Sequence, residues 1–440
     1  MDHAGRSLHR RDVLRGFLAA SLLPRSRFAS PAWQALLRVN GERVNRHLAE
    51  LSAFGKGPGG TSRVAYSEAD LAGRRYAMEL LRSADLTPRI DAIGNILARL
   101  EGREPARPPI LIGSHIDSVT NGGNYDGDVG SMGAIEVAQT LRESGTRLRR
   151  PLEVVIFQNE EGGTVGSRML VEAPTEALLN TTARSGITIR DGIPRIGGDL
   201  SRLDEARKRR GDYYCFFELH IEQGGILDAD GIQIGVVEGI VGIRWFEVTF
   251  TGFANHAGTT PMDQRKDAML AAAKFTVAVN EAIRAVPGRQ VGTVGRLVAV
   301  PGTVNVIPGE VTLTVDLRDL AAETLTTFPA KFEELGRRIA TETNTTFAMR
   351  LLSTNEPAPT DLRLRGLIEQ SARQLGLSTR TMPSGAGHDA QEIARIAPVA
   401  MIFVPSVGGV SHSPNELTRP QDVTNGANVL LHTVLAVDER

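Results

Sequence analysis

The chain has 440 residues, 41% of them hydrophobic and 23% charged, an ordinary globular composition and a length that suggests two domains. A formal net charge of -1 marks no nucleic-acid or strongly acidic partner, and no apolar run approaches the roughly 20 residues that span a bilayer. A single cysteine, Cys215, excludes an internal disulfide framework and a cysteine-built metal site, so any metal falls to His, Asp and Glu.

At the N-terminus, Arg10-Arg11 precede a short apolar run, residues 16–23, broken by Pro24 and followed by the small residues Ala29-Ser30. A basic region, an apolar stretch and a small-residue cleavage point describe an export signal, and the arginine pair makes residues 1–30 a twin-arginine signal to the periplasm; a cytoplasmic chain with a chance arginine pair is the alternative. From residue 31, short β-branched strands alternate with helices, as in α/β folds. Residues 109–113 predict a buried strand, 130–141 a helix with small residues on its packing face, and 152–157 a second strand of a largely parallel sheet. Residues 181–211 read as a polar surface excursion, and 213–219 return to strand character.

The texture changes near residue 237. Residues 244–250 alternate like an antiparallel strand with one wet face; a helix follows over 264–285, strands near 291–300 and 311–317, a helix over 322–341 and a strand at 346–352. This order predicts an inserted, ferredoxin-like α+β domain over 237–351, between catalytic parts 31–236 and 352–440. Residues 399–404 predict another buried strand.

Nine histidines are present, and five of them lie in Gly-rich or polar contexts at strand ends, where open α/β sheets place their sites. In Gly113-Ser114-His115-Ile116-Asp117-Ser118, alternation puts His115 and Asp117 on one side, so the Asp117 carboxylate is placed to take the second N–H of a metal-ligating His115. Asp126 follows in Gly122-Gly123-Asn124-Tyr125-Asp126-Gly127, a loop able to turn a carboxylate over the strand end. Asn159-Glu160-Glu161-Gly162-Gly163 places two carboxylates side by side, one free to bind metal and the other to act as a base. Glu218-Leu219-His220-Ile221-Glu222-Gln223-Gly224 and Ser411-His412-Ser413-Pro414-Asn415-Glu416 add two more histidines. Together the clusters offer nitrogen and oxygen ligands suited to Zn²⁺, Mn²⁺, Co²⁺ or Ni²⁺, and one shared carboxylate would build the paired site that hydrolases use.

These motifs, with Asn255-His256-Ala257-Gly258-Thr259-Thr260-Pro261-Met262, 305–308, 316–318 and 384–389, make the chain resemble the hydantoinase/carbamoylase amidohydrolases of the aminoacylase-like metallopeptidases over about residues 38–438. That group includes N-carbamoyl-L-amino acid hydrolases, β-ureidopropionases and allantoate amidohydrolases. The resemblance implies two divalent metals per subunit, zinc first among them. His115, Asp126 and His220 would hold one; Asp126, Glu161 and His412 would hold the other. It implies Glu160 as general base and Gln223 and Gly387 as pocket-lining residues. His256, Asn305 and Arg318 would contact a substrate bound by the partner of a homodimer. Arg318 would grip the substrate carboxylate and His256 would stabilise the oxyanion. The expected reaction is hydrolysis of a linear ureido or amide bond in a small carboxylate-bearing substrate, an N-carbamoyl-L-amino acid first. Allantoate and N-carbamoyl-β-alanine are the alternatives. An aminoacylase or aminopeptidase is opposed by the 255–262 motif and by histidine at 220. A non-catalytic binding protein is opposed by the presence of the base and every ligand.

Overall fold

A computed structural model describes residues 37–439; the export signal expected over residues 1–30 lies outside them. Four strands form the parallel centre of the main sheet, in the order Val399–Val404, Cys215–Ile221, Ile110–His115, Leu152–Phe157. Each is buried along its whole length; Val399–Val404 is accordingly apolar throughout, whereas the other three carry buried polar residues, Ser114 and His115, Glu153, and Glu218 and His220. Ile96–Leu100 and Pro88–Ile90 extend the sheet antiparallel on one side; on the other, Ile234–Ile240 pairs antiparallel with Val399–Val404 and Ala358–Pro359 and parallel with Thr379–Ser384.

The helix Asp128–Glu143 crosses between the first two parallel strands of the chain and is buried over most of its length. Gly130 lets it come close: a β-carbon there would sit 2.1 Å from the Leu219 carbonyl oxygen. The final helix, Pro420–Asp438, begins with proline at its first turn and is likewise buried. Among the described residues, no helix is long and apolar enough to cross a membrane.

A second sheet of four antiparallel strands runs Val291–Val300, Glu310–Asp319, Gly242–Thr251, Thr346–Asn355. Ala268–Arg284 and Ala322–Glu342 pack on it, and a core of its own gathers Phe246, Val248, Phe250, Phe275, Leu313 and Phe332. The expected boundary at 237 falls inside Ile234–Ile240, whose buried run belongs to the main sheet, and 351 falls inside Thr346–Asn355. The texture changes in the next strand, Gly242–Thr251, where burial alternates from Trp245 onward.

Residues 181–211 lie mostly at the surface, as expected, but are not without structure. They form short helices at Ile189–Arg195 and Leu203–Ala206, and Ile189, Ile193, Ile196 and Ala206 pack into the main core. Isolated apolar residues among arginines gave no periodic signal of that burial.

Candidate metal centre

The C-terminal ends of the parallel strands converge on one site. His115 is the last residue of Ile110–His115, His220 the penultimate residue of Cys215–Ile221, and Glu160 and Glu161 follow Leu152–Phe157 by a short loop. Asp126 comes from the loop before helix Asp128–Glu143, and His412 from the loop after Val399–Val404. Gly127, at φ 67°, makes the turn that aims Asp126 inward, and a β-carbon there would lie 2.4 Å from the His115 ring.

Asp126 is the hub. Its Oδ1 lies 3.1 Å from His220 Nε2 and 3.7 Å from His115 Nε2; its Oδ2 lies 3.0 Å from His412 Nε2 and accepts the Gln223 amide at 2.8 Å. Glu161 Oε1 stands 3.5 Å from His412 Nε2, and Glu160 Oε2 stands 3.7 Å from His115 Nε2. Ligand atoms of His115, Asp126 and His220 all lie within 4.8 Å of one another, as do those of Asp126, Glu161 and His412, so the two groups share Asp126.

The donor set fits cations. The Nδ1 atoms of His115 and His220 face the carbonyls of Asp117 at 3.0 Å and Ile221 at 2.9 Å. A carbonyl only accepts, so each Nδ1 carries a hydrogen and each Nε2 turns to the cluster, where it could serve as a ligand. Glu161 Oε1 is buried and accepts no hydrogen bond. Burial lowers the His115 pKa to about 4 against the pull of Asp126, leaving a lone pair aimed at carboxylate oxygens. Burial also opposes a charge on His220, yet Asp126 and Glu218 outweigh it and hold that pKa near 9. Burial and Asp126 push Glu161 up to about 8, and burial with Asp389 and Glu161 raises Glu160 well above the ordinary range. This concentration of buried carboxylates and inward Nε2 atoms is what a cation would relieve.

A third grouping, Glu218, His220 and His388, is fully buried but already satisfied. Glu218 accepts from Ser114 Oγ at 2.7 Å and from the Ala390 N–H at 2.9 Å, and His388 Nε2 lies 2.7 Å from Ser384 Oγ. His388 packs edge-on to the His220 ring at 4.5 Å, a supporting role.

Asp117 requires a correction. Its backbone carbonyl, not its carboxylate, meets His115 Nδ1; the carboxylate stands 3.8 Å away and accepts the N–H groups of Glu160 at 3.1 Å and Glu161 at 3.2 Å. The strand stops at His115, so its alternation does not carry on to Asp117. Asp117 therefore fixes the backbone that presents both glutamates.

Glu416 has a role that its motif does not announce. Its Oε1 accepts the N–H groups of Tyr125 at 2.9 Å and Asp126 at 3.2 Å; its Oε2 accepts Ser411 Oγ at 2.9 Å and the His412 N–H at 3.3 Å. One carboxylate thus ties together the Asp126 and His412 loops. Nothing local in the sequence reveals this, because two of the donors lie some 290 residues away.

A cavity of about 780 Å³ opens beside the cluster, with Gln223, Ser411 and His412 in its wall. Arg318, expected to contact a substrate bound by the partner, instead lines the cavity of its own chain from the second sheet: its Nε and Nη2 donate to Asp316 and its Nη1 donates to the Gly385 carbonyl at 2.8 Å. Gly385 and Ala386 line this cavity and Gly387 does not; the chain turns inward there toward buried His388. His256 and Asn305 are exposed and lie together, since Asn255–His256 pairs with Val306–Ile307 and the Ala257 N–H donates to the Asn305 carbonyl at 3.0 Å. Among the described residues neither makes a hydrogen bond or ion pair with the metal-ligand cluster.

Residues 111–436 match Peptidase family M20/M25/M40. The chain belongs to this family. It is 39% identical to an N-carbamoyl-L-amino acid amidohydrolase of Geobacillus stearothermophilus, over 90% of this chain and 98% of that protein. It is 36% identical to a ureidoglycolate hydrolase of Arabidopsis thaliana, over 92% and 88%. Among solved structures, an amidase of the hydantoinase/carbamoylase family from Burkholderia multivorans superposes with a TM-score of 0.85 at 36% identity, covering 91% of this chain and 98% of that one. This M20 chain is a hydrolase of carbon–nitrogen bonds other than peptide bonds, and its mixed α/β fold with a largely parallel central sheet is that of its relatives.

Proposed function

We propose that the protein hydrolyses N-carbamoyl-L-amino acids to the amino acid, ammonia and carbon dioxide, using two divalent cations. His115, Asp126 and His220 hold one cation and Asp126, Glu161 and His412 the other; zinc suits this donor set, as do manganese, cobalt and nickel. The observation that carries the reading is the convergence of both groups on Asp126 while Glu160, beside them, stays outside either group. When bound, the cations polarise the scissile carbonyl and make water acidic enough to lose a proton.

Glu160 accepts that proton and returns it to the leaving nitrogen. It is placed for this exchange because it lies beside His115 and outside both ligand groups. Asp117 keeps Glu160 in place through the backbone. Arg318, held by Asp316 and Gly385, presents a guanidinium to the substrate carboxylate, and Gln223 orients Asp126 from the same cavity wall. The inserted segment that carries the second sheet, residues 242–355, acts as a lid and dimerising domain. The exposed pair His256 and Asn305 completes the site of the partner subunit, with His256 stabilising the oxyanion. Arg10-Arg11 directs the chain to the periplasm, and replacing both by lysine should leave a precursor in the cytoplasm.

The test is ammonia release by metal-loaded protein from N-carbamoyl-L-amino acids, N-carbamoyl-β-alanine and allantoate. The highest kcat/KM is expected on an N-carbamoyl-L-amino acid; turnover of allantoate or N-carbamoyl-β-alanine alone, or of none, contradicts the reading.

A further inference from the structure

The surface segment 181–211 brings a cationic side chain to the ligand cluster. Arg184 stands with Nη1 3.5 Å from Glu161 Oε2, while Oε1 of the same carboxylate faces His412 Nε2 at 3.5 Å. Glu161 is thus shared between a metal-ligand group and a guanidinium. The local fold sets this placement. Arg184 lies on a tight turn closed by a bridge between Thr182 and Thr188, by the Ala183 N–H on the Ile187 carbonyl at 2.9 Å and by the Gly186 N–H on the Ala183 carbonyl at 2.9 Å. Gly186, at φ 82°, takes the left-handed conformation that lets the turn close. Ala183 and Ile187 pack against the main core, and Thr188 Oγ1 accepts the Asp191 N–H at 3.1 Å to cap the helix Ile189–Arg195. The turn is therefore anchored on both flanks, and Arg184 projects from it half exposed, where a substitution disturbs little packing.

The two ligand groups are not equivalent. The side chains of His115 and His220 are each 1% exposed, whereas that of His412 is 50% exposed. One group lies deep, with two buried imidazoles around Asp126. The other lies at the rim, with a half-exposed imidazole and with Arg184 beside its Glu161. A guanidinium and a metal ion seek the same carboxylate. Without metal, Arg184 supplies positive charge to Glu161; with a cation on that carboxylate, two like charges stand close together and repel. Solvent at the rim damps the repulsion, as in other partly exposed pairs, so its expected effect on affinity is about threefold to tenfold.

We propose that Arg184 is a positioning residue that acts through Glu161: it competes with the cation of the Asp126–Glu161–His412 group, so that this group is the weaker of the two and fills second. This rests on the two-cation reading above and goes beyond it, since that reading leaves the two cations equal.

The experiment titrates the metal-free full chain with manganese(II) in a calorimeter, for the wild type, Arg184→Ala, Arg184→Lys and His412→Ala, with thermal melting of each recorded alongside. The wild type is expected to bind in two steps, and His412→Ala should weaken or remove the weaker step alone. Arg184→Ala should tighten that weaker step by about threefold to tenfold and leave the stronger one within about twofold. Arg184→Lys, which keeps the charge, should stay closer to the wild type. A weaker step unchanged or loosened in folded Arg184→Ala overturns the proposal, even if melting falls, because a purely structural role would lower stability without tightening any step. Two equal steps in the wild type overturn it too, as does His412→Ala acting on the stronger step. Binding of one cation per chain, or of none, overturns the two-cation reading and the proposal with it.

Discussion

In the proposed mechanism Glu160 and Glu161, neighbours in the chain, do different work, and the difference comes from what each faces. Glu161 offers an unsatisfied oxygen to His412, whereas Glu160 lies beside His115 and outside both ligand groups. Glu160→Gln is expected to keep metal content near that of the wild type while turnover falls by about 10²–10⁴-fold, measured by elemental analysis beside steady-state rates; loss of metal would make Glu160 a ligand instead. Metal binding should also depend on pH. Without metal, His220 is protonated below about 9 and Glu161 below about 8, and both must shed a proton to bind a cation. Affinity therefore rises with pH toward 9 and weakens as pH falls below 8. Calorimetric titration at pH 6.5 and 8.5 should show tighter binding and less proton release at the higher pH. The convergence of the five candidate ligands was legible because each sits at a strand end or in a polar, mostly glycine-containing loop, where a histidine or carboxylate has little structural reason to be. The use of Asp117 was not, because a two-residue alternation holds only while the strand lasts.

At the level of elements, the site depends on loops being held in register. Glu416 joins the Asp126 loop to the His412 loop through four hydrogen bonds. Glu416→Ala should lower metal occupancy, most at the Asp126–Glu161–His412 group, and lower stability by about 1.5–3 kcal/mol, the scale for hydrogen bonds to a charged group; chemical denaturation and metal analysis check both. Occupancy equal to the wild type would reduce Glu416 to an ordinary loop contact. The strands at 152–157, 291–300 and 399–404 have the limits read from sequence, because β-branched runs bounded by turn residues mark their own ends. Ile234–Ile240 was missed as a main-sheet strand, since its pairing comes from Thr379–Ser384 and Val399–Val404, more than a hundred residues later. Glu416 was obscure for the same reason: sequence periodicity reports the face of an element, not its distant partner.

For the molecule as a whole, the ligand cluster sits at the strand ends of the main sheet, while His256 and Asn305 lie exposed beside the second sheet. A two-fold dimer is the assembly that would bring His256 of one chain to the cluster of the other. Mixing inactive Glu160→Gln with inactive His256→Ala under subunit exchange should restore part of the activity, because one hybrid site then holds an intact Glu160 and an intact His256. No recovery despite proven exchange would show that each chain completes its own site. Beneath these expectations lies one claim, that Asp126 is shared by two cations held by His115, His220, Glu161 and His412. Anomalous diffraction from crystals loaded with manganese or zinc tests it most directly. The expected map has two peaks per chain about 3.5–4 Å apart on either side of the Asp126 carboxylate; a single peak, or one lodged among Glu218, His220 and His388, would contradict it.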